Sequence, residues 1–141
     1  MSRWIRSTVI FLVFLSASTT ASHAATEEER KKICNDAEQR YQKLFGKPSA
    51  EEDVTIVKMY KYNFCPPQLE VKQGTTVRWV NVDRRTSHSV WLKEAGKPES
   101  DRLFSEEHTQ MKFDLPVGEY PYLCGPHWKD DGMTGRVIVS K

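Results

Sequence analysis

The chain has 141 residues, with 21 basic and 19 acidic residues and a formal net charge of +2, which leaves room for one domain and a modest extension. Arg3 and Arg6 lie in an N-terminal segment without acidic residues, so removing that segment leaves 19 basic and 19 acidic residues. A near-neutral chain with mixed charges lacks the electrostatic footprint of a nucleic-acid-binding protein. Nucleic acid is therefore excluded as the expected partner.

The first 24 residues have the pattern of a secretory signal. Arg3 and Arg6 form a basic start, residues 9–15 form a short apolar run, and Ser22-His23-Ala24 offers small residues for cleavage. The apolar run is too short for a membrane span, and no other run is long enough. We therefore predict a signal peptide over residues 1–24 and a soluble, periplasmic mature protein without a membrane span or a lipid anchor.

A helix is predicted directly after this signal. Thr26 stands three residues before Glu29, which is the spacing of a capping box. Apolar residues then recur at helical spacing until Gly46 and Pro48 end the pattern: Ile33, Ala37, Tyr41, Leu44 and Phe45. We expect an N-terminal helix and linker over residues 25–50. Its apolar face is expected to pack on its own domain; a docking or dimer face is the alternative.

From residue 51 to residue 141 the pattern changes to short segments of period two, separated by turn residues, which is typical of an all-β domain. The predicted strands are Val54–Tyr60, Gln68–Lys72, Thr76–Asn81, Ser87–Leu92, Thr109–Leu115, Glu119–Cys124 and Thr134–Ser140. Residues 93–107 are rich in charge, glycine and proline, and we expect them to form a long surface connection.

Four residues near these strands suit one metal. Cys124, His127 and Met133 lie in a single loop, and His88 supplies a second imidazole from the predicted strand Ser87–Leu92. Two imidazoles, a thiolate and a weak axial thioether are the ligands of a blue-copper electron-transfer site. The sequence therefore predicts one copper ion, cycling between Cu(I) and Cu(II), on His88, Cys124, His127 and Met133.

The other two cysteines are expected to pair. If the thiolate of Cys124 is held by a metal, Cys34 and Cys65 remain as a natural disulfide in an oxidising compartment. Covalent haem is not indicated, because the sequence has no Cys-x-x-Cys-His motif.

The β part of the chain resembles the cupredoxins, most closely their plastocyanin and pseudoazurin branch. The matching segments cover roughly residues 54–141 and occur in the family's order and spacing. They are residues 67–81, His88 with Val90, Gly118-Glu119-Tyr120, Tyr122-x-Cys124-x-Pro126-His127 and Gly132-Met133-x-Gly135-x-Val137.

This resemblance implies a Greek-key β-sandwich with copper near one end, and it leaves the N-terminal helix predicted above unexplained. The expected fold is therefore an all-β, cupredoxin-like sandwich with an N-terminal helical extension. His127 would then lie at the surface in an apolar patch and carry the electron, with Gly125, Pro126 and Trp128 as candidates for that patch. The implied partners are a redox protein that donates electrons and one that accepts them, such as a cytochrome, a reductase or an oxidase.

Three departures from the family pattern concern the tuning of the site. Five residues separate His127 from Met133, one more than in plastocyanin, so a displaced axial sulfur is expected. Ser89 stands where the family usually has asparagine, and Gly125 stands where serine or threonine is common. Because serine is shorter, we expect a looser connection between the ligand loops.

The favoured function is a periplasmic one-electron carrier that is not an enzyme. The alternative is a copper-handling protein, a chaperone or sensor that uses the same site. A catalytic copper centre would require that Met133 does not bind, and structural zinc does not favour a thioether ligand.

Overall fold

The computed structural model describes residues 26–141, so the predicted signal peptide lies outside the described residues. The described chain begins with helix α1, Glu27–Phe45, followed by a short 3₁₀ turn at Ser49–Glu51. Seven strands follow: β1 Thr55–Tyr60, β2 Asn63–Cys65, β3 Gln68–Lys72, β4 Thr76–Asn81, β5 His108–Lys112, β6 Gly118–Leu123 and β7 Thr134–Ser140. The predicted all-β sandwich with an N-terminal helix is confirmed.

The strands form two sheets. One sheet has the order β2-β1-β4-β5 and the other has the order β3-β7-β6. Strands β1 and β4 run parallel, as do β3 and β7, whereas the other neighbouring pairs are antiparallel. Residues from both sheets build the main hydrophobic core, including Val57 of β1, Trp79 of β4 and Val137 of β7. The core therefore lies between the sheets.

Helix α1 covers the outer face of the first sheet. The Thr26 hydroxyl accepts a hydrogen bond from the Glu29 amide, and the Glu29 carboxylate accepts one from the Thr26 amide, so the predicted capping box is present. Ala37 and Tyr41 are buried in a second apolar cluster with Ile56 of β1 and other residues of that sheet. The expectation that the helix packs on its own domain is confirmed.

The predicted disulfide ties this helix to the sheet. Cys34 on α1 is bonded to Cys65 at the end of β2, and Cys124 is the free cysteine of the described chain. Since β2 is an edge strand, the disulfide fixes the helix at one border of the first sheet.

The predicted strand Ser87–Leu92 is wrong. Two isolated bridges take its place, from His88 to Leu103 and from Trp91 to Leu123. The segment does not form a continuous strand because its two halves pair with different parts of the chain. Between the bridges its amides bind side chains: the Ser89 amide points at the sulfur of Cys124 at 3.4 Å, and the Val90 amide donates to Ser100 Oγ at 3.0 Å.

The connection over residues 93–107 is also less superficial than expected, because the side chain of Leu103 is buried in the core. Strand β2 was not predicted, since three residues are too few to show a period.

Candidate metal centre

Cys124 follows directly after β6, and its side chain is fully buried. Its amide donates to the Met133 carbonyl at 3.1 Å, which closes the loop that separates β6 from β7. The Ser89 amide lies 3.4 Å from its sulfur. This contact holds the sulfur in one orientation, and the thiolate is the form of cysteine that binds a metal.

His127 is placed by the turn after Cys124. Its amide donates to the Cys124 carbonyl at 3.0 Å, and its carbonyl accepts from the amides of Asp131 and Met133, both at 3.2 Å. Its Nδ1 lies 3.4 Å from the sulfur of Cys124. The residue is half-buried, in contrast to Cys124.

His88 comes from the segment that forms the two isolated bridges. Its backbone pairs with Leu103, and its side chain is fully buried. Its Nδ1 lies 3.8 Å from the sulfur of Cys124, while its Nε2 lies 2.8 Å from Asp83 Oδ2. A carboxylate at Nε2 favours the tautomer with the proton there, which leaves the lone pair of Nδ1 available for a metal.

The structure thus brings three of the four predicted ligands together. The ligand atoms of His88, Cys124 and His127 all lie within 4.8 Å of one another. One thiolate and two imidazoles in this arrangement match the donors of a blue-copper site. The residues fit copper.

The fourth predicted residue, Met133, is buried at the edge of the same core. Its backbone is bonded to both Cys124 and His127, so it is fixed in the ligand loop despite the additional residue. Its role as the axial ligand stays a prediction.

The two imidazoles differ in their electrostatic surroundings. Burial acts to lower the pKa of His88, but the hydrogen bond to Asp83 and the neighbouring Cys124 outweigh it and leave that pKa raised. Burial and the neighbouring His88 lower the pKa of His127. His127 is therefore held more readily in the neutral form that binds metals.

The expected looseness around Ser89 is not found. The Ser89 hydroxyl accepts from the Gly125 amide at 3.0 Å and donates to Glu99 Oε1 at 2.6 Å. A Cβ atom at Gly125 would collide with the Glu99 carboxylate. The two departures from the family pattern, Ser89 and Gly125, are therefore structurally linked. Ser89 connects the segment of His88 to the loop of Cys124, and the Glu99 carboxylate occupies the space that a side chain at position 125 would need.

Three contributing residues were not identified from the sequence. Asp83 was assigned to a polar turn, although its position five residues before His88 is a usable signal. Glu99 was assigned to the surface connection. Tyr62, whose ring centroid lies 5.0 Å from that of His127, has no signal in the sequence, because the contact joins distant parts of the chain.

The predicted apolar patch is only partly apolar. Pro126 is exposed, and Gly125 and Trp128 are half-buried. The ammonium groups of Lys93 and Lys129 lie 5.8 Å and 5.3 Å from the centroid of the Trp128 ring. Two ammonium groups therefore lie close to this tryptophan, so the patch is positively charged as well as apolar.

A two-sheet sandwich with a buried cysteine between two histidines at one end defines a class of copper proteins. The family model of copper binding proteins, plastocyanin/azurin family, matches residues 50–140. The chain belongs to this family, and its cofactor is copper.

Individual relatives agree with this assignment. The chain is 35% identical to amicyanin-alpha of Methylorubrum extorquens over 90 residues, which are 61% of this chain and 71% of the relative. It is 35% identical to a plastocyanin of Synechococcus sp. over 111 residues, 69% of this chain and 80% of the relative.

Solved structures show the same fold. An oxidised amicyanin mutant matches with a TM-score of 0.55 at 26% identity, over 64% of this chain and 85% of that one. A copper-containing nitrite reductase from Thermus scotoductus matches with a TM-score of 0.55 at 29% identity, over 68% of this chain but 24% of the enzyme. Among residues 26–141, no helix is long and apolar enough to cross a membrane.

Proposed function

We propose that this protein is a periplasmic one-electron carrier, with His88, Cys124 and His127 as copper ligands and Met133 as the axial ligand. The observation that carries the proposal is the cluster of two imidazole nitrogens and one sulfur within 4.8 Å. Bound copper supplies the one-electron chemistry, Cu(II) to Cu(I) and back. Amicyanin and plastocyanin among the relatives support this function.

The contribution of the protein is to fix the positions of the predicted ligand side chains. Asp83 fixes the ring of buried His88, and Ser89 joins the segment of His88 to the loop of Cys124. Ligands that are already in place move little when the oxidation state changes, and a small rearrangement favours fast electron transfer. These fixed contacts favour the carrier over a copper chaperone or sensor, which was expected to have a looser site.

The partners would be one redox protein that donates and one that accepts, such as a cytochrome, a reductase or an oxidase. His127 is half-buried, whereas His88 and Cys124 are fully buried. Of these three residues, His127 is therefore the one through which an electron would pass between copper and a partner. We expect partners to dock around this residue.

A catalytic copper centre is the less supported alternative. It would need space at the metal for a substrate, but Met133 is only 1% exposed and is bonded through its backbone to both ligands of its loop. The match to nitrite reductase covers about a quarter of that enzyme. We therefore propose that this protein is not itself an enzyme.

The test is a titration of the exported protein with Cu(II), followed by visible absorption and EPR. We expect an intense thiolate-to-copper band with narrow hyperfine splitting, which a mild reductant bleaches and an oxidant restores. A weakly coloured complex with ordinary splitting would contradict the carrier and favour copper handling.

Variants assign the ligands in the same assay. Cys124→Ser should abolish the band, and His127→Ala should change the EPR spectrum. His108→Ala is the matched control, since His108 is exposed on β5. Met133→Leu should raise or lower the reduction potential and change the colour; unchanged spectra would remove Met133 from the ligand set.

Localisation is tested by fractionation and mass spectrometry. We expect the protein in the periplasmic fraction with a mass that corresponds to loss of residues 1–24. A full-length protein retained in the cytoplasm would contradict the proposed location.

A further inference from the structure

The turn between β1 and β2 has an unfavourable backbone. Tyr60 pairs with Asn63, so Lys61 and Tyr62 form a two-residue hairpin loop. Both have positive φ values, 45° and 59°. Loops with two positive φ values favour asparagine and glycine, and larger side chains are strained there. Backbone strain that is retained in a short turn points to a functional role for its side chains.

This turn is anchored to the metal centre. The Lys61 amide donates to Asp83 Oδ2 at 2.9 Å, and the same oxygen lies 2.8 Å from Nε2 of His88. Within the turn, the Asn63 side chain donates to the Lys61 carbonyl at 2.7 Å. One carboxylate oxygen therefore fixes both the strained turn and a ligand imidazole.

The anchored turn places the ring of Tyr62 beside the two imidazoles. Its centroid lies 5.0 Å from that of His127 with an interplanar angle of 70°, and 6.3 Å from that of His88 with an angle of 85°. These are favourable edge-to-face geometries. Tyr62 remains 41% exposed, so apolar burial alone does not explain why this residue occupies a strained position.

We propose that Tyr62 is a positioning residue for His127, held in place by the strained turn that Asp83 anchors, and that it limits the movement of the His127 imidazole. The inference deepens the proposed function, because a restrained imidazole changes little between the oxidation states. The contact between the Tyr62 and His127 rings involves no metal atom, so it can also be tested in the absence of copper.

The first experiment uses metal-free protein with ¹⁵N- and ¹³C-labelled histidine, studied by NMR. In Tyr62→Ala we expect the His127 ring resonances to shift and to show increased motion, with smaller changes at His88. Tyr62→Phe should restore the parent values, because it retains the ring. Phe45→Ala is the control: Phe45 is 38% exposed and packs on Tyr41 of α1. Identical His127 dynamics in Tyr62→Ala and the parent would overturn the proposal.

The second experiment measures the electron self-exchange rate of the copper-loaded protein by NMR. Tyr62→Ala should lower the rate by about two- to tenfold, the range that corresponds to the loss of one aromatic pair. Tyr62→Phe and Phe45→Ala should stay close to the parent. An unchanged rate in Tyr62→Ala would overturn the role in electron transfer. If copper gives no reversible colour at all, the proposed function fails, while the metal-free experiment still decides the role of Tyr62.

The strain is tested separately with the double variant K61N/Y62G. We expect it to resist denaturant better than Tyr62→Ala, because both replacements suit the backbone of the turn. It should nevertheless show the mobile His127 of Tyr62→Ala. A double variant that is less stable than Tyr62→Ala would contradict the strained turn.

Discussion

Glu99 and Gly125 show how a position in the candidate metal centre depends on a residue that is distant in the sequence. The Glu99 carboxylate accepts from the Ser89 hydroxyl at 2.6 Å and lies where a side chain at Gly125 would start. Ser89 in turn accepts from the Gly125 amide. These residues are therefore coupled, and substitutions at two of them should not be additive.

We predict that Gly125→Ala destabilises the protein by about 1–2 kcal/mol, because the new methyl group displaces Glu99 and breaks its hydrogen bond to Ser89. In the background of Glu99→Ala the same substitution should cost much less, since the carboxylate is gone. Denaturant unfolding of the parent, both single variants and the double variant measures the coupling. Equal costs in both backgrounds would contradict the arrangement.

The sequence was sufficient to predict a candidate set of ligands, three of which the structure brings together, but it did not identify the residues that support them. Cys124, His127 and Met133 are close along the chain, so their chemistry is visible as a motif. His88 could be added because the donor set needed a second imidazole. Asp83 lies only five residues before His88 and could have been considered from the sequence. Glu99 and Tyr62 act through contacts between distant parts of the chain, which only the fold brings together.

At the scale of elements, the strands with clear alternation of apolar and polar residues were predicted with errors of at most three residues at either end. The capped helix was also predicted. The segment of His88 was assigned to a strand because its composition suits one, yet its backbone bridges two separate partners, Leu103 and Leu123. Local propensity is weaker than such tertiary contacts.

The contact between α1 and the first sheet includes an ion pair that should make stability depend on pH. Glu38 Oε2 lies 2.8 Å from the ammonium group of Lys58 on β1, and the carboxylate also accepts from the amide and the hydroxyl of Ser49. Burial acts to raise the pKa of Glu38, but the hydrogen bonds from Lys58 and Ser49 outweigh it and lower that pKa to about 2.

A carboxylate with a lowered pKa in the folded state stabilises the fold above its ordinary pKa of 4.5, and this stabilisation is lost as the pH falls towards 2. We predict that Glu38→Gln is less stable than the parent at pH 6 and that the difference shrinks between pH 4.5 and pH 2. Denaturant unfolding across this range measures it. Glu51→Gln, in the exposed turn nearby, is the control for losing one carboxylate. A difference that is constant with pH would contradict the role of Glu38.

The disulfide is the covalent part of the same contact. Cys34 and Cys65 are 31 residues apart, and closing a loop of this length stabilises by about 3–4 kcal/mol in the chain-entropy model. We predict a loss of this size in the double variant C34A/C65A, with the fastest additional hydrogen exchange in α1. Unfolding of the parent under reducing conditions is the matched comparison. A double variant as stable as the oxidised parent would show that packing alone holds the helix.

At the scale of the whole molecule, charge balance should govern how two copies meet. Without residues 1–24 the chain has equal numbers of basic and acidic residues. Exposed charges of both signs lie in the segments that carry the centre: the basic residues are Arg84, Arg85, Lys93 and Lys129, and the acidic residues are Asp130 and Asp131. Because the whole chain without residues 1–24 is neutral, two copies carry no strong net repulsion that salt could screen.

We predict that the self-exchange rate of the copper-loaded protein changes by less than about threefold between about 20 mM and about 500 mM ionic strength. The variant R84E/R85E gives each copy a net negative charge at the exchanging end, so its rate should be lower at low salt and should rise clearly as salt screens the repulsion. NMR line broadening in mixtures of the two oxidation states measures both rates. A parent rate that rises more than about tenfold with salt would show that copies meet through a face with unbalanced charge, which would move the docking surface away from the mixed surroundings of His127.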